Sequence, residues 1–266
     1  MPAGPVARRC RVSTPKHFNT SMATVCALCK VNEDVQNSHI IPEFFYRMVY
    51  DPQPRRFRVL STEPSVPERY EQKGLRERLL CRVCEQRIGR WEDYAKRTFV
   101  DGQGVRTTPL EGGMRLHGID YKTFKLFQLS LLWRMSVSAQ DFFAEVDLGP
   151  HEEKLRVALL NDDPLQPGDY CCALIVVKVA GAFLKDWMLA PSQGRLGSNR
   201  AYWLVINGIF FIYCVGSHPP PAGLAAAAIT QRNELVVIDD DARNYPFLND
   251  VLVKLHKAIQ DRKKTH

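Results

Sequence analysis

The chain has 266 residues, 45% hydrophobic and 24% charged, which is enough apolar material for one large domain or two smaller ones and excludes wholesale disorder. Its formal charge of +7 is lopsided: residues 1–100 hold 18 Lys and Arg against 11 Asp and Glu, whereas residues 101–266 balance at 18 each. No apolar h-region accompanies the cations of the first 24 residues, and charges, Asn207-Gly208 and Pro219-Pro220-Pro221 interrupt the long apolar runs, so a soluble, cytoplasmic protein with no membrane partner is expected.

In chain order, residues 1–23 are rich in Pro, Arg, Ser and Thr, without a hydrophobic period, and are expected to form a flexible basic tail. Residues 24–100 form a cysteine-bearing unit. Within it, residues 51–74 contain four prolines and scattered charges and read as an irregular insertion. Downstream, Cys84, Ile88, Trp91 and Ala95 fall on one stripe, which predicts a helix after Cys81. Residues 101–118 hold five glycines and place a linker at 101–120. The remainder, 121–266, is expected to be an α+β domain of its own. A helix apolar nearly all round covers 121–139, and a second runs from Pro150 to Leu160. Strands are predicted at 170–180, 187–191 and 234–238. The runs AYWLVI and IFFIYCV flank Asn207-Gly208, a strong hairpin signature because both turn residues need positive φ. An amphipathic helix at 247–264 ends in cations that suit its dipole.

The cysteines carry the clearest chemistry. With no secretory signal a reducing compartment is expected, so Cys26-Ala-Leu-Cys29 and Cys81-Arg-Val-Cys84 read as a metal site rather than as disulfides. Two such pairs complete a tetrahedral thiolate set, and a structural zinc on Cys26, Cys29, Cys81 and Cys84 is predicted. A cysteine knuckle, a hairpin and then a cysteine pair opening a helix is the treble-clef arrangement. Cys10 falls in the tail, and Cys171, Cys172 and Cys214 lie in apolar runs as small hydrophobes. His39, in Asn-Ser-His-Ile-Ile-Pro, has three roles open to it: metal ligand, catalytic base or packed ring.

Cys-x-x-Cys, a His-Ile-Ile-Pro about ten residues later and a Leu-Cys-x-x-Cys opening a helix resemble the HNH endonuclease superfamily, with its ββα-metal finger. Ser-His-Ile-Ile-Pro with Leu-Leu-Cys-x-x-Cys-Glu resembles an uncharacterised bacterial HNH-like branch. The resemblance covers about residues 24–100. It implies a metal-dependent endonuclease hydrolysing nucleic-acid phosphodiesters, with DNA as the expected partner. His39 then matches the general base, and Glu85 stands where the family places a metal ligand after the second cysteine pair. Glu92, seven residues further on the predicted helix, is a candidate second ligand for a catalytic Mg²⁺ or Mn²⁺. Two departures are visible. Ser38 replaces the ligand that precedes the base, and the family's middle Asn falls near Arg76 and is missing. Arg76, Arg78, Arg82, Arg87 and Arg90 are candidate nucleic-acid contacts. The competing expectation is a catalytically inactive treble-clef protein that binds nucleic acid or another protein. The fold class expected is therefore α+β, a treble-clef zinc unit followed by an antiparallel sheet with packed helices. The C-terminal domain would specify substrate, or bind a protein partner or a second copy.

Overall fold

A computed structural model describes residues 25–47, 49–51, 53–59, 69–184 and 187–264. The expected basic tail at 1–23, with Cys10, lies outside the described residues, as does residue 60–68 of the expected insertion.

The cysteine-bearing unit begins with the first knuckle and continues into β1 (Val35–His39) and a short helix α1 (Glu43–Tyr46). Then come β2 (Phe57–Val59), β3 (Arg69–Glu71), β4 (Arg76–Cys81) and the 18-residue helix α2 (Arg82–Phe99). β1 and β4 pair antiparallel, so a two-stranded ladder leads directly into a helix. The stretch expected to be an irregular insertion contains β2 and β3, which pair antiparallel with Phe57 opposite Glu71. On α2 the predicted stripe is the buried face: Cys84, Ile88, Trp91 and Ala95 are all covered.

The expected linker is instead structural. It carries β5 (Arg106–Leu110) and β6 (Gly113–His117), a hairpin that joins the large sheet. Glycine count misled here, because Gly112 supplies the positive φ of a hairpin turn rather than chain flexibility. Next come α3 (Tyr121–Val137), α4 (Pro150–Leu160), β7 (Cys172–Val179), β8 (Ala182–Phe183) and β9 (Met188–Leu196). The chain ends with β10 (Asn199–Ile206), β11 (Ile209–Val215), α5 (Ala222–Ala227), β12 (Glu234–Asp241) and α6 (Pro246–Lys264). The fold is mixed α+β.

The large sheet has eight strands in the order β5-β6-β12-β7-β11-β10-β9, with β8 added alongside β7. Its neighbours are antiparallel except β12 and β7, which run parallel. Asn207 and Gly208, both at positive φ, make the β10–β11 turn, and Ile206 pairs with Ile209 across it. Apolar nearly all round, α3 is buried on nearly every side, and Asp120 caps it by accepting from the Thr123 amide at 2.9 Å. The buried Lys125 on α3 donates to the Asp169 and Tyr170 carbonyls at 2.7 and 3.1 Å, and burial lowers its pKa to about 8.

One apolar core runs through both halves. Leu28, Ile40, Phe44, Phe45 and Trp91 of the cysteine-bearing unit belong to the same packed cluster as Phe124, Phe127 and Trp133 of α3 and Phe211 of β11. The Phe45 ring meets Phe211 edge-on at 6.1 Å, and the Asn207 side chain donates to the Phe45 carbonyl at 2.7 Å. Among the described residues, no helix is long and apolar enough to cross a membrane.

Candidate metal centre and the adjoining histidine

The first knuckle is a backbone device. The Cys26 amide donates to the Asn32 carbonyl at 2.8 Å and the Lys30 amide to the Cys26 carbonyl at 2.9 Å, with Lys30 at φ 58°. The second pair is placed by the passage from strand to helix. Cys81 ends β4 at the N-cap of α2, and Cys84 sits in the first turn, where the helix dipole favours thiolates.

A β-bulge brings the two together. Gln36 pairs with Leu80 but Asn37 pairs with Arg78, so Leu79 is an extra residue in β4. Its carbonyl, freed from the ladder, accepts from the Ala27 amide of the knuckle at 2.9 Å. The buried Ser38 hydroxyl accepts from the Leu80 amide at 3.1 Å. Ser38, which stands where the resemblance expects a metal ligand, thus serves the strand pairing.

The outcome is a group of four sulfurs, Cys26, Cys29, Cys81 and Cys84, all within 4.8 Å of one another, that could hold a metal ion. The Cys29 and Cys81 sulfurs are 3.9 Å apart. Tetrahedral zinc with Zn–S bonds of ~2.3 Å requires S···S separations of about 3.8 Å, so the donor set fits zinc. Burial raises the Cys26 and Cys84 thiols, the latter further through Cys81 and Cys26. Burial also opposes ionisation of Cys29, but amides of Asn32 and Val31 and the neighbouring sulfurs outweigh it and bring this thiol to about 7. Sulfurs this close cannot all be thiolates without a cation among them, and a divalent metal supplies one. Outside the four, the Asn32 side-chain amide lies 3.4 Å from the Cys81 sulfur.

His39 ends β1 opposite Arg76 and is not part of this group. Its ring is one-fifth exposed and stands between a cation and an anion. The Arg76 Nε donates to Nε2 at 2.8 Å, and Glu43 Oε2 also stands 2.8 Å from Nε2. The two contacts select opposite states of the ring, since a neutral Nε2 accepts from Arg76 and a protonated one donates to Glu43. Burial, then the Arg76 charge, lower the His39 pKa, while Glu43 works against them. Arg55 in turn pairs with Glu43, and its guanidinium lies 4.2 Å over the Tyr50 ring. The Tyr46 ring is 6.4 Å from the imidazole, and its hydroxyl accepts from the Leu75 amide at 2.8 Å.

Beneath His39 lies a residue that sequence spacing did not single out. Arg134, buried on α3, donates to the His39 carbonyl at 2.7 Å and stands 2.6 Å from Glu92 Oε1. Burial raises the Glu92 pKa, and Arg134 opposes that rise. Glu92 therefore has a cation already beside it. Glu85 lies close enough for its charge to affect Glu92, and its Oε1 is buried without a protein hydrogen-bond partner. Among the described residues, His39, Glu85 and Glu92 do not converge as a second three-residue ligand group.

The predicted arginines divide. Arg76 serves His39, and Arg87 donates to the Leu160 carbonyl and lies 3.3 Å from Asp162. Arg78, Arg82 and Arg90 are exposed. Arg90 and Arg87, with Val83, Gln86, Gly89 and Asp93, line an open groove of about 520 Å³ along α2.

Comparisons with models of known protein families, with curated proteins and with solved structures return no match to this chain.

Proposed function

We propose that the chain is a zinc-stabilised, HNH-like phosphodiesterase of nucleic acid in which His39 is the general base. The observation that carries this reading is the partly exposed imidazole held between Glu43 and Arg76 on a strand pinned by four cysteines. Zinc on Cys26, Cys29, Cys81 and Cys84 fixes the β1–β4–α2 unit as a treble clef and takes no part in the reaction. An arriving phosphate draws Arg76 off Nε2 through a charge-assisted bond and uncovers the lone pair. The ring, neutral near physiological pH, then takes a proton from the attacking water. Glu43 stabilises the imidazolium that forms, much as a carboxylate does in other histidine dyads. Water oxygen bonds to phosphorus as the bond to the sugar oxygen breaks, and that oxygen takes up a proton from solvent. The imidazolium returns its proton to solvent, and Arg76 and Arg55 offset the phosphate charge. Among the described residues, three converging donors for a catalytic Mg²⁺ or Mn²⁺ are not found beside His39. Such an ion would rest on Glu85 and on substrate oxygens.

A second reading, a nucleic-acid-binding treble clef without hydrolysis, draws on the claim of Arg134 on Glu92 and on the lack of a second ligand group among the described residues. One assay separates the two. Supercoiled plasmid incubated with the zinc-loaded protein and Mg²⁺ or Mn²⁺ should be nicked, and His39→Ala should lower the rate at least ~100-fold, the usual scale for a general base. Equal nicking by both proteins removes His39 as the base, and retention of DNA in a gel shift with no nicking by either leaves the binding reading.

A further inference from the structure

The four cysteines lie in residues 26–84, yet the first knuckle is gripped by a helix about 120 residues away. Arg156 of α4 donates from Nη1 to the Leu28 carbonyl at 2.5 Å, inside the Cys26–Cys29 turn. Its other nitrogens engage Glu153 through a fork: Nε to Oε2 at 2.8 Å and Nη2 to Oε1 at 2.7 Å. Lys30, at the end of the same knuckle, reaches Glu153 Oε2 at 2.9 Å. Two residues one turn apart on α4 thus hold the knuckle from both ends. The guanidinium is largely buried, with 14% of its side chain exposed, whereas Glu153 and Lys30 are open to solvent. Arg156 also lies close enough to Cys29 to feel its charge. At the other end of α4, the Leu160 carbonyl accepts from Arg87 of α2, the helix that presents Cys84. One helix from the second half therefore fastens to both cysteine-bearing segments.

Four thiolates and a divalent ion carry a net charge of −2, which a partly buried cation on the peptide preceding Cys29 offsets. A hydrogen bond to the Leu28 carbonyl also fixes the plane of the peptide next to Cys29. We propose that Arg156 is an outer-sphere residue of the metal centre, holding the Cys26–Cys29 knuckle in its ligating form, so that metal retention depends on α4. Glu153 orients Arg156 and acts through it. This inference rests on the reading of the four cysteines as a zinc site.

The test uses the full chain and zinc alone, with affinity measured by competition against a chromophoric chelator. Arg156→Ala should weaken zinc binding by ~10–100-fold, the scale seen when outer-shell partners of a metal are removed. Glu153→Gln should weaken it less, and Arg156→Lys should restore part of the loss. Arg243→Ala, which removes an arginine paired to Asp241, should match the wild type. With Co²⁺ in place of zinc, Arg156→Ala should shift the thiolate-to-metal charge-transfer band while keeping tetrahedral ligand-field bands. Wild-type affinity and spectrum in Arg156→Ala overturn the proposal with the zinc reading intact. A wild-type chain that takes up no zinc overturns the zinc reading itself. Should Arg156→Ala fail to fold, Glu153→Gln decides: weaker binding supports the proposal and unchanged binding overturns it.

Discussion

His39 is held by two groups that want it in different states, and pH decides between them. Its pKa is lowered in the fold by burial and by Arg76, so the folded protein prefers the neutral ring. The sign follows: below the unfolded value of ~6.5 the unfolded chain binds the extra proton first, and stability is lost as pH falls toward the folded pKa. Glu43→Gln removes a raising influence and should lower the His39 pKa further. Arg76→Ala removes a lowering one and should raise it. An NMR titration of the imidazole resonances checks both, and a shift in the same direction for the two variants would refute the arrangement. The His39–Glu43 pair was open to sequence reading, because the two are four residues apart across Pro42 at the start of α1. Arg134 was not, since it reaches His39 from 95 residues away. Nothing in a single sequence marks one arginine of an apolar helix as the partner of a distant carbonyl.

Elements with a strong local cause were the legible ones. The Asn207-Gly208 turn needs two positive φ values, and it forms where the dipeptide put it. Asn207 also donates to the Phe45 carbonyl at the foot of α1, a duty the dipeptide does not advertise. Asn207→Ala should destabilise the protein by about 1–2 kcal/mol, combining a lost hydrogen bond with left-handed strain, as read by denaturant unfolding. On α2 the apolar stripe foretold the buried face, because a period of 3.6 residues admits only one such face. The β5–β6 hairpin was missed for the opposite reason. Every residue of β5 is exposed and it includes Pro109, so neither alternation nor burial distinguishes it from a loop. Its strand character comes from pairing with β6, which in turn pairs with β12, and that partner lies more than a hundred residues away.

At the scale of the whole chain, the division at residues 101–120 marks a change of charge but no break in packing. The core that contains Ile40, Ile41 and Trp91 also contains α3 and the inner face of the large sheet. Unfolding should therefore be one cooperative transition rather than two. Stripping metal with a chelator should move the entire transition to lower temperature, and Cys81→Ser should reproduce that shift. Calorimetry showing a metal-sensitive transition separate from a metal-insensitive one would contradict it.

The bulge at Leu79 makes chain length, as much as side-chain identity, a condition of the four-cysteine group. Its carbonyl reaches the knuckle only because β4 holds one residue more than β1 across that stretch. Deleting Leu79 would straighten the ladder, remove the acceptor for Ala27 and leave all four cysteines in place. Zinc retention should nonetheless collapse, whereas one extra residue at the exposed Glu111–Gly112 turn should leave it intact, as metal analysis of the two purified variants would register. Two changes of a single residue, one a deletion and one an insertion, would then have opposite consequences for a site whose ligands neither of them touches.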